Sequence, residues 1–132
     1  MTTFEQPAAL LAAVGQHLGY SQWLEIDQQR INLFADATGD HQWIHVDPER
    51  ARQGPFGTTI AHGFFTLSLM STLFERAVAV RQVRMGLNYG LNKVRFPAPV
   101  PVGSRLRARC KLLVCESLEQ GGVQAIWGIT IE

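Results

Sequence analysis

The feature that most constrains the fold is a strictly alternating stretch near the end of the chain. Its period of two predicts a strand with one apolar face and one basic face. The apolar row is Leu106, Ala108, Cys110, Leu112 and Val114, and the basic row is Arg105, Arg107, Arg109 and Lys111. Gly121-Gly122 then predicts a turn into an antiparallel partner strand. The inward face of that partner is formed by Val123, Ala125, Trp127, Ile129 and Ile131.

Helical patterns come earlier in the chain. Apolar residues from Leu10 to Leu18 recur at helical spacing, and Gly19 follows as a C-terminal stop. Asp27 is a good N-cap for a second helix that ends near Gly39. Asp47-Pro48 places an aspartate at the cap and a proline at the first position of a short third helix.

A longer helix is predicted from Gly63 to Val80, with apolar or small residues over most of its circumference. The helix runs through Phe64, Leu67, Met70, Ser71, Phe74 and Val78. Further strands are predicted at Trp23–Ile26 and Asn88–Phe96. Because helices come first and antiparallel strands last, the predicted class is α+β, with a helix packed on one antiparallel sheet. A chain of 132 residues, 46% of them hydrophobic, is expected to form one domain, residues 1–132.

Composition excludes several classes of function. A formal net charge of +1 gives no general case for binding nucleic acid or an anionic membrane, so the basic row is interpreted as a solvated strand face. Glu5, Gln6 and Pro7 interrupt the apolar run that a signal peptide needs. Cys110 and Cys115 lie five residues apart, which places them on opposite faces of a regular strand and disfavours a disulfide between them. We expect a soluble, cytoplasmic protein with no membrane span.

The residues best suited to chemistry lie between the second and third predicted helices. Asp40 and His45 place a carboxylate and an imidazole five residues apart in a loop between helices. A glycine- and threonine-rich loop at residues 54–59 then leads through Ile60-Ala61-His62-Gly63 into the long helix. A helix that begins at glycine offers free backbone N–H groups to a negatively charged oxygen. The segment therefore predicts an acid–base pair that faces an oxyanion site.

Other interpretations of the same residues stay open. Asp40 can simply end a helix, and His45 can be satisfied by backbone, because pairs at this spacing are common. His62 is interpreted as a structural histidine at the helix entry rather than a base. Ser71 is either a small residue that permits close packing or a group beside the site.

Two other kinds of site are disfavoured. Zinc at His41, His45 and Asp47 lacks a fourth ligand and an accompanying Cys/His cluster. A serine hydrolase would need a Gly-x-Ser-x-Gly elbow, and neither Ser68 nor Ser71 has a base evident in the sequence.

Three segments, in this order, resemble the MaoC-like (R)-specific enoyl-CoA hydratases, which have the hot-dog fold. The segments are Asp40-x4-His45 followed by Asp47-Pro48, then Ile60-Ala61-His62-Gly63, then Arg95-Phe96-Pro97-x-Pro99-Val100-x-x-Gly103. The resemblance runs from about Gly19 to the end of the chain. It implies a long antiparallel sheet wrapped around the helix Gly63–Val80. It also implies a homodimer with a continuous sheet and thioester sites at the interface.

The resemblance implies roles for the candidate site residues as well. Asp40 and His45 match the catalytic dyad of the family. Gly63 matches the glycine whose backbone N–H binds the thioester carbonyl, and His62 is grouped with it at the helix entry as a substrate-binding residue. Ser71 matches a serine that lies by the site in some members.

Two features depart from the family pattern. Gln42-Trp43 stands where many members have Asn-Pro, which can alter the loop or the acyl pocket but leaves the dyad intact. The sequence also stops within a strand pattern at Ile131-Glu132, where members usually have one more strand. Either the chain is truncated or its sheet is one strand short.

The predicted function is the (R)-specific hydration of trans-2-enoyl-CoA to (R)-3-hydroxyacyl-CoA, and the reverse dehydration, in fatty-acid metabolism. Such a hydro-lyase needs donors for the enolate oxygen, a base for the water and a proton for the α-carbon. It requires no metal and no organic cofactor. One alternative is an acyl-carrier-protein 3-hydroxyacyl dehydratase. Another is a non-catalytic acyl-thioester binding module, against which the intact Asp40 and His45 argue.

Overall fold

The computed structural model describes residues Met1–Glu132, which divide into two compact units. Unit 1 comprises Met1–Gln22, Met70–Leu91 and Arg107–Glu132, and unit 2 comprises Trp23–Leu69 and Asn92–Leu106. In chain order the elements are β1 Thr2–Phe4, a 3₁₀ helix Pro7–Ala13, β2 His17–Tyr20, β3 Leu24–Glu25, α1 Gln28–Thr38, α2 Trp43–Val46, α3 Pro48–Arg52, α4 Gly63–Ser68, α5 Met70–Glu75, β4 Val78–Val80, β5 Arg105–Leu106, β6 Ala108–Ser117 and β7 Val123–Ile131. None of the helices is both long and apolar enough to cross a membrane.

The centre of unit 1 is an antiparallel sheet in the order β2-β6-β7. Helix α5 packs on this sheet, with the Phe74 ring edge-on to Trp127 at a centroid distance of 4.7 Å. Leu73 of this helix and Cys110 and Leu112 of β6 are fully buried. The predicted hairpin of the last two strands is therefore present, and a helix covers its sheet.

Strand β6 contains a bulge that the alternating pattern does not predict. Leu112 pairs with Trp127, but Val114 pairs with Ile126, so Leu113 is the extra residue. The bulge moves the inward row by one position. Val114, predicted to point inward, is 38% exposed for this reason.

The bulge also changes the relationship between the two cysteines. Cys110 pairs with Ile129 and Cys115 pairs with Ala125, two residues of the regular strand β7 that share one face. The cysteines therefore lie on the same face, and the prediction of opposite faces is wrong. Both thiols are free.

The predicted helix from Leu10 to Leu18 is wrong in its second half. The 3₁₀ helix ends at Ala13, and the chain turns at Gly15, where φ is +87°. The Gly15 N–H donates to the Leu112 carbonyl at 2.7 Å, so pairing with β6 replaces the helical ladder. Leu18 is still buried, but from strand β2, and Gly19 lies within that strand rather than ending a helix.

The long helix predicted from Gly63 to Val80 is divided into α4 and α5 at Leu69 and ends at Glu75. The Ser68 hydroxyl donates back to the Phe64 carbonyl at 2.7 Å, a contact that commonly bends helices. Residues Val78–Val80 form β4, which pairs in parallel with β1 and so gives the β-branched valines backbone partners.

The buried side of these helices is narrower than their apolar circumference. Phe65, Leu69 and Leu73 are buried, at a spacing of four residues, whereas Phe64 is 68% exposed. The strand predicted at Asn88–Phe96 is absent as well, because no backbone hydrogen bond joins that segment to another strand.

Unit 2 places the candidate site on short helices. Strands β3 and β5 pair through Leu24 with Leu106, as a short antiparallel sheet. Helix α1 buries Ile31 and Ala35 completely. The Asp27 carboxylate accepts from the Arg30 N–H at 2.8 Å, which confirms the predicted cap.

Candidate functional site

The end of α1 positions Asp40. Gly39 has φ +82°, in the left-handed region that favours glycine, and its N–H donates to the Ala35 carbonyl at 2.8 Å. The chain leaves the helix at this point, with Asp40 as the next residue. The Asp40 side chain is exposed, and its Oδ1 accepts from the Gln42 N–H at 3.3 Å.

His45 lies on the one-turn helix α2 and is only 6% exposed. Its Nδ1 lies 2.7 Å from the Ile60 carbonyl oxygen, which can only accept, so Nδ1 carries the proton and Nε2 carries the lone pair in the neutral ring. Gln28 Nε2 donates to the His45 carbonyl at 2.7 Å, and Thr59 Oγ1 donates to Gln28 Oε1 at 2.5 Å. The hydrogen bond from Gln28 therefore fixes the backbone of His45, and the hydrogen bond to Ile60 fixes its ring.

His62 comes directly before α4 and is 3% exposed. Its Nε2–H donates to the backbone carbonyl of Asp40 at 3.0 Å. Its ring stacks on the His45 ring, with centroids 3.9 Å apart and an angle of 25° between the planes. Phe34 packs against His62 with a ring separation of 4.9 Å. His62 therefore contacts both members of the predicted dyad.

The three side chains form one cluster. A carboxylate oxygen of Asp40 and one ring nitrogen each of His45 and His62 all lie within 4.8 Å of one another. A single water can bridge two polar groups at such a separation, since each hydrogen bond spans about 2.8 Å. The cluster combines an exposed carboxylate with a buried imidazole, which is an arrangement suited to moving a proton to or from water.

The donor set of this cluster is poorly suited to a metal ion. A histidine lone pair lies in the ring plane, and zinc needs nitrogen ligands at about 2.0–2.1 Å. The rings of His45 and His62 are stacked nearly parallel at 3.9 Å, so their lone pairs lie in separate planes and do not converge on one point. One nitrogen of each ring also faces a backbone carbonyl.

The other candidate zinc ligands serve separate local roles. His41 is exposed, and its Nε2 lies 2.9 Å from Asp36, whose carboxylate raises the pKa of His41 through this hydrogen bond. The Asp47 carboxylate accepts from the Arg50 N–H at 3.1 Å and caps α3. A zinc site formed by His41, His45 and Asp47 gains no support from these contacts.

Gly63 starts α4, and its N–H makes no hydrogen bond within the protein. Phe96 packs directly on this glycine, since a Cβ added at Gly63 would meet three atoms of the Phe96 ring at 3.1–3.3 Å. Phe96 also contacts Phe64 edge-on at 6.0 Å. Glycine thus allows Phe96 to pack this closely, and the free N–H remains available to an acceptor.

Ser71 lies on α5 in unit 1 and its side chain is exposed. Asp40, His45, His62 and Gly63 all belong to unit 2. The role of Ser71 beside the substrate stays a prediction.

Three contributors to the site were not predicted from the sequence. Gln28 and Thr59 together hold the His45 backbone, although they are 31 residues apart. The sequence indicates Phe96 only as part of a motif and not as the residue that packs on Gly63. No local pattern marks such contacts, because each joins segments that are distant in sequence.

Comparison with known proteins decides the family. A family profile described as "MaoC like domain" matches residues 9–127. The chain belongs to this family. The 3-hydroxyacyl-thioester dehydratase Z of Mycobacterium tuberculosis is 61% identical over 132 residues, which is 100% of this chain and 87% of the relative. Nodulation protein N of Rhizobium leguminosarum bv. viciae is 51% identical over 121 residues, covering 90% of this chain and 75% of the relative.

Solved structures agree with the family assignment. R-hydratase PhaJ1 from Pseudomonas aeruginosa superposes with a TM-score of 0.67 at 25% identity, over 97% of this chain and 77% of that one. A monoamine oxidase regulatory protein from Archaeoglobus superposes with a TM-score of 0.78 at 19% identity, over 98% and 84% of the two chains. The predicted hot-dog fold is confirmed. This MaoC-like protein is an enzyme, a hydro-lyase of the dehydratase type.

Proposed function

We propose that this MaoC-like protein catalyses the (R)-specific hydration of trans-2-enoyl-CoA to (R)-3-hydroxyacyl-CoA, and the reverse dehydration. The observation that carries the proposal is the approach of the Asp40 carboxylate and a His45 ring nitrogen to within 4.8 Å. The 61% identity to a 3-hydroxyacyl-thioester dehydratase supports a thioester substrate. The similarity to an R-hydratase supports the stereochemistry.

In the proposed reaction, Asp40 and His45 hold one water between them. Both groups accept hydrogen bonds from it, because His45 Nδ1 is already donating to Ile60 and Nε2 is left with its lone pair. The water oxygen forms a bond to C3 of the enoyl group as one water proton passes to the pair. The same pair returns a proton to C2, so the reaction releases and consumes no net proton.

The thioester carbonyl oxygen gains negative charge as the bond to C3 forms. In the proposed mechanism the Gly63 N–H donates to that oxygen. Its support is that the N–H has no acceptor within the protein and belongs to the same unit as the dyad. A positioned donor at a developing oxyanion contributes typically about 10²–10³-fold to turnover.

We propose that the reaction needs neither a metal ion nor an organic cofactor. The stacked rings of His45 and His62 support this, because their lone pairs do not converge. Prolonged dialysis against EDTA should leave turnover unchanged. Loss of activity with EDTA, restored by zinc, would contradict this part of the proposal.

We also propose that the protein is a homodimer. An alternating row of apolar residues, with exposures from 43% to 90%, follows β4 and has no backbone partner in the chain. The row is Val83, Met85, Leu87, Tyr89 and Leu91. A contiguous apolar row of this kind commonly marks an interface between proteins, and the period of two suits a strand added to a partner.

Sedimentation of two variants tests the homodimer. Leu87→Asp places a charge in the exposed row, and Leu33→Asp places one at an exposed leucine of α1 as the matched control. We expect the parent and the control to sediment as dimers and Leu87→Asp to shift toward monomer. A parent that remains monomeric at micromolar concentration while hydrating substrate would contradict the proposal.

The catalytic proposal is tested with crotonyl-CoA and longer 2-enoyl-CoA substrates. Hydration removes the enoyl absorbance. The configuration of the product is tested with an (S)-specific 3-hydroxyacyl-CoA dehydrogenase, which should not oxidise an (R)-3-hydroxyacyl-CoA product. The same acyl groups on an acyl-carrier protein distinguish the two carriers. Activity only on the carrier protein would identify a carrier-protein dehydratase, and no activity on either would refute the proposed reaction.

A cytoplasmic role in fatty-acid metabolism is proposed with this reaction. The free thiols of Cys110 and Cys115 suit a reducing compartment.

A further inference from the structure

Asp40 depends on His62 for its position in the fold. The Asp40 side chain is exposed, its Oδ1 bonds only within its own turn, and its N–H reaches the nearby Thr38 hydroxyl at 3.4 Å. The one hydrogen bond that joins Asp40 to a distant part of the chain is the bond from His62 Nε2–H to its carbonyl, across 22 residues. His45 differs, because Ile60 and Gln28 hold it independently.

The environment of His62 fixes its ring. Burial to 3% exposure, stacking on His45 and contact with Phe34 leave one orientation for the imidazole. With Nε2–H directed at Asp40, the neutral ring places its lone pair on Nδ1, which is buried and has no partner in the protein. The His62 ring therefore donates one fixed hydrogen bond to Asp40 and stacks on His45, and neither contact requires it to gain or lose a proton.

We propose that His62 is a positioning residue of the reaction, holding the Asp40 loop by its Nε2–H and the His45 ring by stacking. This inference rests on the proposed hydratase function. It assigns His62 no contact with the reacting atoms and no role as a base. A displacement of a catalytic group by about 1 Å can cost roughly 10²-fold in rate, so loss of the bond to Asp40 is expected to lower kcat more than it raises KM.

Two substitutions separate the two contacts of His62. His62→Phe keeps a stacked ring and removes the donor, whereas His62→Gln removes the ring and keeps an N–H donor at the reach of Nε2. We expect His62→Phe to lower kcat by about 10- to 10²-fold with KM little changed. His62→Gln should retain clearly more of the parental kcat. His17→Gln, a change at an exposed histidine of β2 in unit 1, is the matched control and should leave both constants unchanged.

A double-mutant cycle decides whether His62 acts through Asp40. If it does, combining His62→Phe with Asp40→Asn should lower kcat little beyond Asp40→Asn alone. If the double variant instead loses kcat by the product of the two single losses, the inference is overturned. Melting temperatures and circular dichroism of every variant show whether lost activity merely follows lost folded protein, which would also overturn it. If His62→Phe does not fold, His62→Met, which also lacks the donor, takes its place in the same cycle.

The outcomes distinguish this inference from the proposed function. A parent that hydrates no enoyl thioester on either carrier removes the proposed function. A parent that is active, with a His62→Phe variant of equal kcat, removes only the positioning role.

Discussion

Nδ1 of His45 lies 2.7 Å from the carbonyl oxygen of Ile60. This bond determines which ring nitrogen can accept a proton, because the nitrogen that faces a carbonyl must be the donor. Ile60 itself directly precedes the Ala61-His62-Gly63 entry of α4, so one short segment supplies the orienting carbonyl, the stacking ring and the free N–H. The hydrogen bond from His45 to Ile60 therefore joins the two sequence motifs of the predicted site, Asp40-x4-His45 and Ile60-Ala61-His62-Gly63.

Substitutions at the dyad should separate chemistry from stability. Asp40→Asn removes the charge from an exposed side chain, so the melting temperature should hardly change while turnover falls by at least about 10²-fold.

His45→Asn keeps an N–H donor at the reach of Nδ1, whereas His45→Gln does not. Both should lose turnover to a similar extent, but His45→Asn should melt higher because it can still donate to Ile60. Near-parental hydration by Asp40→Asn and His45→Gln would contradict the mechanism.

A methyl group at Gly63 should interfere with the reaction through Phe96. The added Cβ lies 3.1–3.3 Å from three ring atoms, so Phe96 must shift, and its 50% exposure allows it to do so at small cost in stability. Alanine keeps the backbone N–H, so we expect Gly63→Ala to lower kcat only through the displaced ring, by up to about 10²-fold, which is the cost of misplacing a reacting group by about 1 Å. The melting temperature should change little. The double variant with Phe96→Ala shows whether ring displacement causes the loss, because it removes the clash. Unchanged kcat in Gly63→Ala would contradict the prediction that displacement of Phe96 interferes with the reaction.

The sequence predicts α1 and α3 well because their signals are local. An aspartate accepts from the N–H three residues on at both Asp27 and Asp47, and Gly39 ends α1 in the left-handed region. These contacts require nothing beyond one helical turn. The residues of the dyad motif are likewise close in sequence, and the structure brings their polar atoms within 4.8 Å.

The errors fall where distant segments decide the structure. The bulge at Leu113 depends on pairing with β7, and the alternation of apolar residues in β6 continues past it without interruption. Leu18 keeps its helical spacing in the sequence, but pairing with β6 places it in a strand. The stacking of His62 on His45 has no sequence signal either, since 17 positions separate the rings and neither motif alone indicates an aromatic contact.

Thr66→Val tests a buried hydroxyl near the site. Thr66 Oγ1 is buried without a hydrogen-bond partner in the protein, and a buried polar group in that condition costs roughly 1–3 kcal/mol. Valine has nearly the same shape, so the variant should unfold at higher denaturant concentration with an unchanged m-value. Thr72→Val, at an exposed position of α5, is the control and should change stability little. A lower midpoint for Thr66→Val would mean that the hydroxyl makes a stabilising contact.

The buried thiol of Cys110 should make stability depend on pH in the alkaline range. Burial raises the pKa of Cys110 from 9.0 to about 11. Below pH 9 the thiol is protonated in both states, so it contributes no slope. Between pH 9 and 11 the unfolded thiol loses its proton while the folded one keeps it, so the free energy of unfolding falls as pH rises.

The size of this effect follows from comparing variants. The rise in the pKa of Cys110 from 9.0 to about 11 corresponds to a loss on the order of 2 kcal/mol in the free energy of unfolding between pH 9 and 11. Cys110→Ala should show a shallower decline from pH 9 to 11 than the parent, even though its cavity lowers stability at every pH. Cys115→Ala is the matched control, since Cys115 is less buried and its raised pKa reflects a weaker effect of burial together with repulsion from Glu116. Urea titrations at several pH values measure each slope, and equal slopes for the parent and Cys110→Ala would contradict the prediction.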